Sequence, residues 1–222
     1  MKKLLPYFIL LALLPACRNE KPREEKKVVV RSAQDVNKIC SEQLAGLLED
    51  NKTDSVLILN KDVLLSYPFF RQLYLNKYNA LFSVKGKTNR LADSLLTIIK
   101  DARFYGLIPD DYHFKKIDSL QKNFFNKQDS SYDAFAIAKA DLLLCDAYFK
   151  LGAHINKGRF YPDSLLLEWN PNKLDTNWIS VLTWGLQSNN LRSALDSLEP
   201  KHEGYVLLKQ ELKKYILENE KI

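Results

Sequence analysis

The feature that most constrains the fold is the recurrence of apolar residues at steps of three and four after Asp35. This spacing places them on one face of an α-helix, whereas a half-buried strand requires strict alternation. The clearest stripes are Leu91, Leu95, Ile98, Ile99 and Ala102; Phe135, Ala138, Leu142, Cys145 and Phe149; and Tyr205, Leu208, Leu212 and Tyr215. Weaker patterns predict helices over 36–49, 62–76, 113–125 and 175–197, with short extended pieces at 28–30, 56–59 and 80–84. The pattern predicts a mainly α, compact helical domain with at most short β pieces.

Residues typical of helix ends flank these stripes. Thr88 is predicted to cap the helix that begins near Leu91, and Gly106 to lie just past its end. Ser130, with Asp133 three positions later, is predicted to begin the next long helix. The helical reading therefore has local support at both ends.

The longest irregular stretch is predicted from Gly152 to Asp175, because glycine and proline interrupt the helical spacing there. It carries large aromatic rings, among them Tyr161 and Trp169, which we consider candidates for a surface contact loop. The alternative is a lid that folds back onto the helices, and this is favoured because loops usually bury large apolar side chains.

The amino terminus has the layout of a secretory signal peptide. Lys2 and Lys3 precede the apolar run 4–14, which is too short to cross a bilayer as a helix. Residues 14–17 (LPAC) resemble a bacterial lipobox, which implies cleavage after Ala16 and lipidation of Cys17. An ordinary signal peptide with an incidental cysteine is the alternative.

The predicted organisation has three parts: a lipoprotein signal peptide at 1–16, a polar tether at 17–34 and a helical domain at 35–222. The tether is expected to be a flexible leash because it begins with a highly charged, almost wholly polar run. That run mixes both signs, and Lys and Arg outnumber Asp and Glu by only 33 to 27 over the whole chain. Nucleic-acid binding, which needs clustered positive charge, is therefore not expected.

No motif in the sequence indicates catalysis, a cofactor or a metal. Cys145 falls in line with an apolar stripe, so we expect it to point into the core, and the pairing of Cys145 with Cys40 stays open. The three histidines His113, His154 and His202 do not lie at metal-ligand spacing from each other, a cysteine or a carboxylate. There is no HExxH, CxxC, GxSxG or glycine-rich phosphate loop.

Two pairs of carboxylates could in principle support acid–base chemistry. Asp110 and Asp111 follow a proline and precede a helical segment, where an N-cap role explains them. Asp141 and Asp146 are five apart on one helix and therefore diverge, whereas acid–base catalysis needs convergent groups. We predict no catalytic, cofactor-binding or metal-ligating residues.

Four segments taken together carry a resemblance to a known family. They are 70–78 (FRQLYLNKY); 102–113 (ARFYGLIPDDYH); 140–149 (ADLLLCDAYF), which runs into 154–159 (HINKGR); and 195–205 (LDSLEPKHEGY). In this order they resemble the amino-terminal scaffold domain of large multidomain L,D-transpeptidases from Gram-negative bacteria, over roughly residues 65–217. The resemblance implies structural roles for Gly106, Asp110 or Asp111, Gly158, Pro162 and Pro200 at helix ends and turns.

In that family the scaffold domain precedes a peptidoglycan-binding module and a catalytic domain with a cysteine nucleophile and a histidine base. The S-x-G-C-like cluster of the catalytic domain is absent from this sequence, so no catalytic residue carries over.

We therefore expect a noncatalytic cell-envelope scaffold, anchored through Cys17 at the periplasmic face of the outer membrane, that organises cell-wall enzymes or contacts peptidoglycan. The alternative is an amino-terminal fragment of a full transpeptidase whose other domains are missing or separately encoded. A third reading is a glycan-binding module in which Tyr161, Trp169, Trp178 and Trp184 stack on sugars. Trp178 and Trp184 are predicted to pack inward instead.

Overall fold

The computed structural model of the protein describes residues 27–49, 51, 55–59, 61–75, 77–122, 131–159 and 177–220. These residues are mainly helical with only short strands, which confirms the predicted fold class. The helices are α1 (Ala33–Glu49), α2 (Tyr67–Phe70), α3 (Arg90–Lys100), α4 (Phe114–Leu120), α5 (Ala134–Lys157), α6 (Asn177–Gln187), α7 (Leu191–Ser197) and α8 (Glu203–Asn219). Within the described residues, 3-10 helices cover Arg71–Leu73, Asp101–Tyr105 and Pro109–Tyr112. Among the described residues, none of the helices combines the length and the hydrophobicity that a membrane span requires.

In the part of the chain that the structure describes, the strands form three separate antiparallel pairs. The pairs are β1 (Val29–Val30) with β6 (Tyr132–Asp133), β2 (Leu57–Leu59) with β3 (Asp62–Leu64), and β4 (Ser83–Val84) with β5 (Lys87–Thr88). β1, β2 and β4 lie within the three predicted extended pieces, which confirms these predictions apart from their exact ends, whereas β3, β5 and β6 were not predicted. Each pair connects two loops by hydrogen bonds, and no larger sheet is formed by the described strands.

Helix α5 is the centre of the fold. It packs against α1, α2, α3, α4 and α6, and every residue from Asp141 to Phe149 is buried. A helix that is contacted on all sides needs apolar residues around its whole circumference, which explains the consecutive leucines at 142–144. The predicted stripe is therefore only part of the buried surface of α5.

The prediction of an irregular stretch from Gly152 to Asp175 is wrong for its first residues, because α5 continues to Lys157.

The helix predicted over 62–76 is confirmed only in its middle part, because the helical residues run from Tyr67 to Leu73. Residues 62–64 form β3, in which Asp62 and Leu64 are buried and Val63 is exposed. A turn at Ser66 then leads into the short α2 and the 3-10 helix Arg71–Leu73. The alternating burial of β3 shows that a period of two, set by pairing with β2, prevails over the helical spacing.

The ends of α3 and α5 are set by side-chain caps. Asn89, not Thr88, caps α3: its side chain accepts a hydrogen bond from the Ala92 amide, while Thr88 belongs to β5. Gly106 ends the following 3-10 helix with a φ of 73°, a left-handed conformation that glycine adopts without strain. Asp133 caps α5 by accepting from the Ala136 amide. Ser130 lies outside the described residues.

The start of α4 differs from the prediction that Asp110 or Asp111 begins it. Both aspartates lie in the 3-10 helix Pro109–Tyr112, and α4 follows His113, which has a left-handed φ of 58°. Asp110 forms an ion pair with Lys115. The two carboxylates come too early to cap α4, because the extra 3-10 turn intervenes.

The helix predicted over 175–197 is divided into α6 and α7 by a turn in which Asn189 has a positive φ of 53°. Trp178 is buried, as predicted. Trp184, predicted to pack inward, is 51% exposed. It lies on the outer side of α6, which packs against α5 and α7.

Helix α8 contains the predicted carboxyl-terminal stripe but has no fully buried residue. Of the stripe, Tyr205 and Leu212 are half-buried, whereas Leu208 is 71% and Tyr215 is 66% exposed. Its main neighbour is the 3-10 helix Asp101–Tyr105. The extent of α8 thus agrees with the pattern, but only half of the stripe is covered.

Candidate functional site

Polar side chains meet at the middle of α5, and Asp141 joins this helix to the segment before β4. Its Oδ2 accepts hydrogen bonds from the Tyr74 hydroxyl at 2.6 Å and the Leu81 amide at 3.1 Å, and its Oδ1 accepts from the Phe82 amide at 2.7 Å. Burial raises the pKa of Asp141 to about 6, although the three hydrogen bonds act in the opposite direction. The carboxylate thus fixes a loop through two backbone amides.

The two thiols of the described residues are buried, free cysteines. The Tyr74 hydroxyl lies 2.9 Å from Cys145 Sγ, so it bridges this thiol and Asp141. Burial raises the pKa of Cys40 to about 12 and raises the pKa of Cys145, and the nearby Asp141 carboxylate adds to both shifts. A thiolate is the nucleophilic form of cysteine, so both thiols stay protonated at neutral pH. The prediction that Cys145 points into the core is confirmed.

Asp146 makes the second polar link from α5. Its Oδ1 accepts from the Ser66 amide at 2.7 Å, and its Oδ2 lies 2.8 Å from His113 Nε2. Because the His113 ring is held by this carboxylate, its side chain makes no capping bond to α4, although the residue occupies the cap position. A histidine–carboxylate pair can orient a base, but a catalytic triad also needs a nucleophile within reach. Neither thiol of the described residues is hydrogen-bonded to a histidine.

A third polar contact lies near the carboxyl end of α5. The Tyr112 hydroxyl is 2.9 Å from His154 Nδ1. Burial lowers the pKa of His154, and the neighbouring Lys150 acts in the same direction. Lys150 donates to the Asp111 carbonyl at 2.9 Å, and Arg159 pairs with the Asp111 carboxylate at 2.7 Å. These contacts hold the 3-10 helix Pro109–Tyr112 against α5.

The buried carboxylates of α5 can hold segments of the chain in position. The carboxylates of Asp141 and Asp146 accept backbone hydrogen bonds from two different loops, so they diverge as the sequence predicts. Unsatisfied amides in a protein interior cost free energy, and these two side chains supply acceptors where no regular sheet does. Within the described residues, no group of three His, Cys, Asp or Glu side chains is arranged to hold a metal ion.

Several predicted residues lie outside the described part of the chain: Cys17, Tyr161, Pro162 and Trp169. Gly158 lies just past α5 with a positive φ of 84°. Pro200 directly precedes the segment that leads into α8. Of the four proposed sugar-stacking rings, the described ones are therefore Trp178 and Trp184, and burial of Trp178 excludes it as a surface platform.

The contact between His113 and Asp146 is not foreseeable from spacing, since 33 residues separate them. One signal was present: two aspartates interrupt the otherwise largely apolar run 140–149. Charged residues on a buried helix must be paired or hydrogen-bonded, so such a run predicts buried carboxylates with partners elsewhere in the chain.

The chain thus forms a helical domain in which the buried polar side chains of α5 hold neighbouring loops in place. The model of the Scaffold domain family matches residues 68–212, and the chain belongs to this family. The matched range closely follows the 65–217 stretch that carries the resemblance. Comparison with curated proteins gives no match, and comparison with solved structures gives none either.

Proposed function

We propose that this chain is a lipid-anchored scaffold protein of the cell envelope, related to peptidoglycan-crosslinking L,D-transpeptidases, which organises cell-wall enzymes or contacts peptidoglycan without catalysis of its own. The observation that carries the proposal is the family match, because it assigns residues 68–212 to a scaffold domain. The roles of Asp141, Asp146 and the two buried thiols as internal links are consistent with it.

The lipid anchor is supported by the lipobox-like residues 14–17 and the polar run that follows them. More than one acyl chain gives stable membrane attachment, whereas a single chain binds only reversibly. Cells that express the chain are grown with an alkyne fatty acid, and the protein is then isolated and tested for label. We expect labelling of the native chain and none of Cys17→Ser. An unlabelled native chain, or equal labelling of both, contradicts the anchor. Separation of inner and outer membranes on a density gradient then tests the predicted location.

Contact with peptidoglycan is tested by co-sedimentation of the purified chain with isolated sacculi. We expect the chain to sediment with sacculi, and Trp169→Ala tests the proposed contact loop. Tyr215→Ala is the matched control, because Tyr215 is an exposed aromatic residue on α8 that is not among the proposed sugar-stacking rings. Equal loss of binding in both variants would argue against a specific role of Trp169.

The absence of catalysis is tested by incubating the mature protein with muropeptides. Turnover that is lost on Cys145→Ala would refute the noncatalytic proposal. The alternative, an amino-terminal fragment of a full transpeptidase, is supported by the resemblance over 65–217. Translation of the DNA downstream of the coding region distinguishes the two, since a peptidoglycan-binding module followed by an S-x-G-C cluster would favour the fragment.

A further inference from the structure

Helix α8 has an apolar edge that no other element of the described residues covers. The half-buried positions Tyr205, Lys209, Leu212 and Ile216 mark the side of α8 that faces the rest of the domain. Leu208 and Tyr215 lie beside this covered side and remain 71% and 66% exposed. They are seven residues apart, so they fall within about 20° of each other around the helix. Together they form a narrow apolar edge, which we call the Leu208 edge.

The covered side of α8 already has its partners. Lys209 Nζ lies 2.6 Å from a Glu199 carboxylate oxygen and 4.0 Å from the centre of the Tyr105 ring. Leu212 lies against Gly106, where a Cβ would be 3.7 Å from the leucine side chain. At the far end, Glu220 pairs with Arg103. These contacts fix α8 to the domain and leave the Leu208 edge facing outward.

The spacing along α8 is that of a coiled-coil helix. Tyr205, Leu208, Leu212 and Tyr215 follow alternating steps of three and four, which defines the a and d positions of two heptads. The a positions, Tyr205 and Leu212, are half-buried against the domain, whereas the d positions form the Leu208 edge. Because the d positions are exposed, a second amphipathic helix can pack along this side of α8.

The charges beside the Leu208 edge are acidic. Glu211 and Glu218 each follow a d residue by three positions, which places them about 60° further around the helix on the open side. Both are exposed, and neither pairs with a cation among the described residues. In the heptad they occupy g positions, where charge sets the choice of partner. An incoming helix is therefore complementary when it carries Lys or Arg beside its own apolar stripe.

A second copy of the chain fits this edge less well. In an antiparallel pair, Glu211 and Glu218 would face the same glutamates of the other copy, and like charges oppose association. In a parallel pair, Glu211 would face Ile216, an apolar residue, and Lys209, the other e residue, is already bound to Glu199. The charges thus favour a different, basic helix.

We infer that the Leu208 edge of α8 binds an amphipathic helix of another protein that has basic residues flanking its apolar stripe. This inference deepens the proposed scaffold function and rests on it. The two can fail separately, because binding of a helical peptide requires neither the lipid anchor nor peptidoglycan.

The test uses fluorescence anisotropy with the purified full chain, free of acyl groups, and two labelled peptides. Each peptide has three heptads with leucine at a and d; one carries lysine at e and g, and the other carries glutamate there. We expect the lysine peptide to bind at least about tenfold more tightly. The whole chain carries a net charge of +6, so general attraction would favour the glutamate peptide instead.

Variants on one helix make the test specific. Leu208→Ala and Tyr215→Ala are each expected to weaken binding of the lysine peptide about tenfold, as for central interface side chains. Leu207→Ala is the matched control: Leu207 is a neighbouring leucine that is 54% exposed but lies away from the edge. The double variant Glu211→Lys, Glu218→Lys is expected to reverse the preference between the two peptides.

Three outcomes of the peptide assay would overturn the inference. They are equal binding of both peptides, no binding of the lysine peptide, and a loss with Leu207→Ala as large as that with Leu208→Ala. Sedimentation velocity tests whether a second copy of the chain occupies the edge instead. A concentration-dependent dimer that is abolished by Leu208→Ala would assign the edge to a second copy and overturn the inference as well. Circular dichroism of each variant checks that the helical content is unchanged.

Discussion

The burial of the Asp141 carboxylate leads to a quantitative prediction of how the free energy of unfolding changes with pH. Burial raises its pKa from 3.8 to about 6 in the folded protein. Between these two pH values the folded chain binds more protons at Asp141 than the unfolded chain does. The free energy of unfolding therefore falls as pH rises. For these pKa values the loss between pH 4 and pH 7 amounts to about 2 kcal/mol.

The perturbation is Asp141→Asn, which keeps the size of the side chain and removes the titration. Urea unfolding is measured at pH 4, 5, 6 and 7 for both proteins. The free energy of unfolding of the native chain minus that of the variant should fall by about 2 kcal/mol across this range. Other titrating groups are common to both proteins and cancel in the difference. Asp133→Asn removes a carboxylate from the start of the same helix and keeps a capping side chain, which controls for the loss of one charge.

A difference that stays constant with pH would refute this reasoning. It would mean that the pKa of Asp141 is the same in both states, and hence that the hydrogen bonds from Tyr74, Leu81 and Phe82 fully offset burial. A difference that rises with pH would show that these bonds prevail over burial and favour the charged form.

Two further predictions concern close packing and the thiols. Gly185→Ala should destabilise the domain by about 1–3 kcal/mol in urea unfolding, because the new Cβ would lie 2.4 Å from the Tyr148 hydroxyl. Gly46→Ala meets no atom within 4 Å and lies inside α1, so it should stabilise by about 0.5–1 kcal/mol; the same sign for both would contradict the packing argument. Cys40 and Cys145 should resist iodoacetamide at pH 8 in the native protein and react in urea, as followed by mass spectrometry, because both are buried and their pKa values are raised. Rapid alkylation of either thiol without urea would show that the core opens readily.

The sequence was sufficient to predict the helical class and most helix positions, because amphipathic spacing follows directly from which face is buried. It failed where burial has another pattern. The central part of α5 is buried on every side, so a single stripe understates it. The segment 62–76 contains leucines at helical spacing, but pairing with β2 makes its first three residues a strand, and that partner lies outside the local window.

The hydrogen bonds of the buried aspartates were harder to predict from the sequence than the helices. The hydrogen bonds of Asp141 reach residues about 60 positions away, and those of Asp146 reach Ser66 and His113. Such pairs depend on the tertiary arrangement of the helices, which no local spacing encodes. The exposure of Leu208 has the same origin, because an apolar stripe does not state how much of it a neighbour covers.

The two aspartates of α5 also couple the dynamics of distant segments. The Ser66 and Phe82 amides donate to side chains of a buried helix instead of to a neighbouring strand. Their hydrogens can exchange with solvent only when those bonds open, so exchange at these irregular loop positions should be nearly as slow as in α5 itself. Loops of this kind behave as part of the most slowly opening unit of the domain, although Ser66 and Phe82 themselves lie outside regular secondary structure.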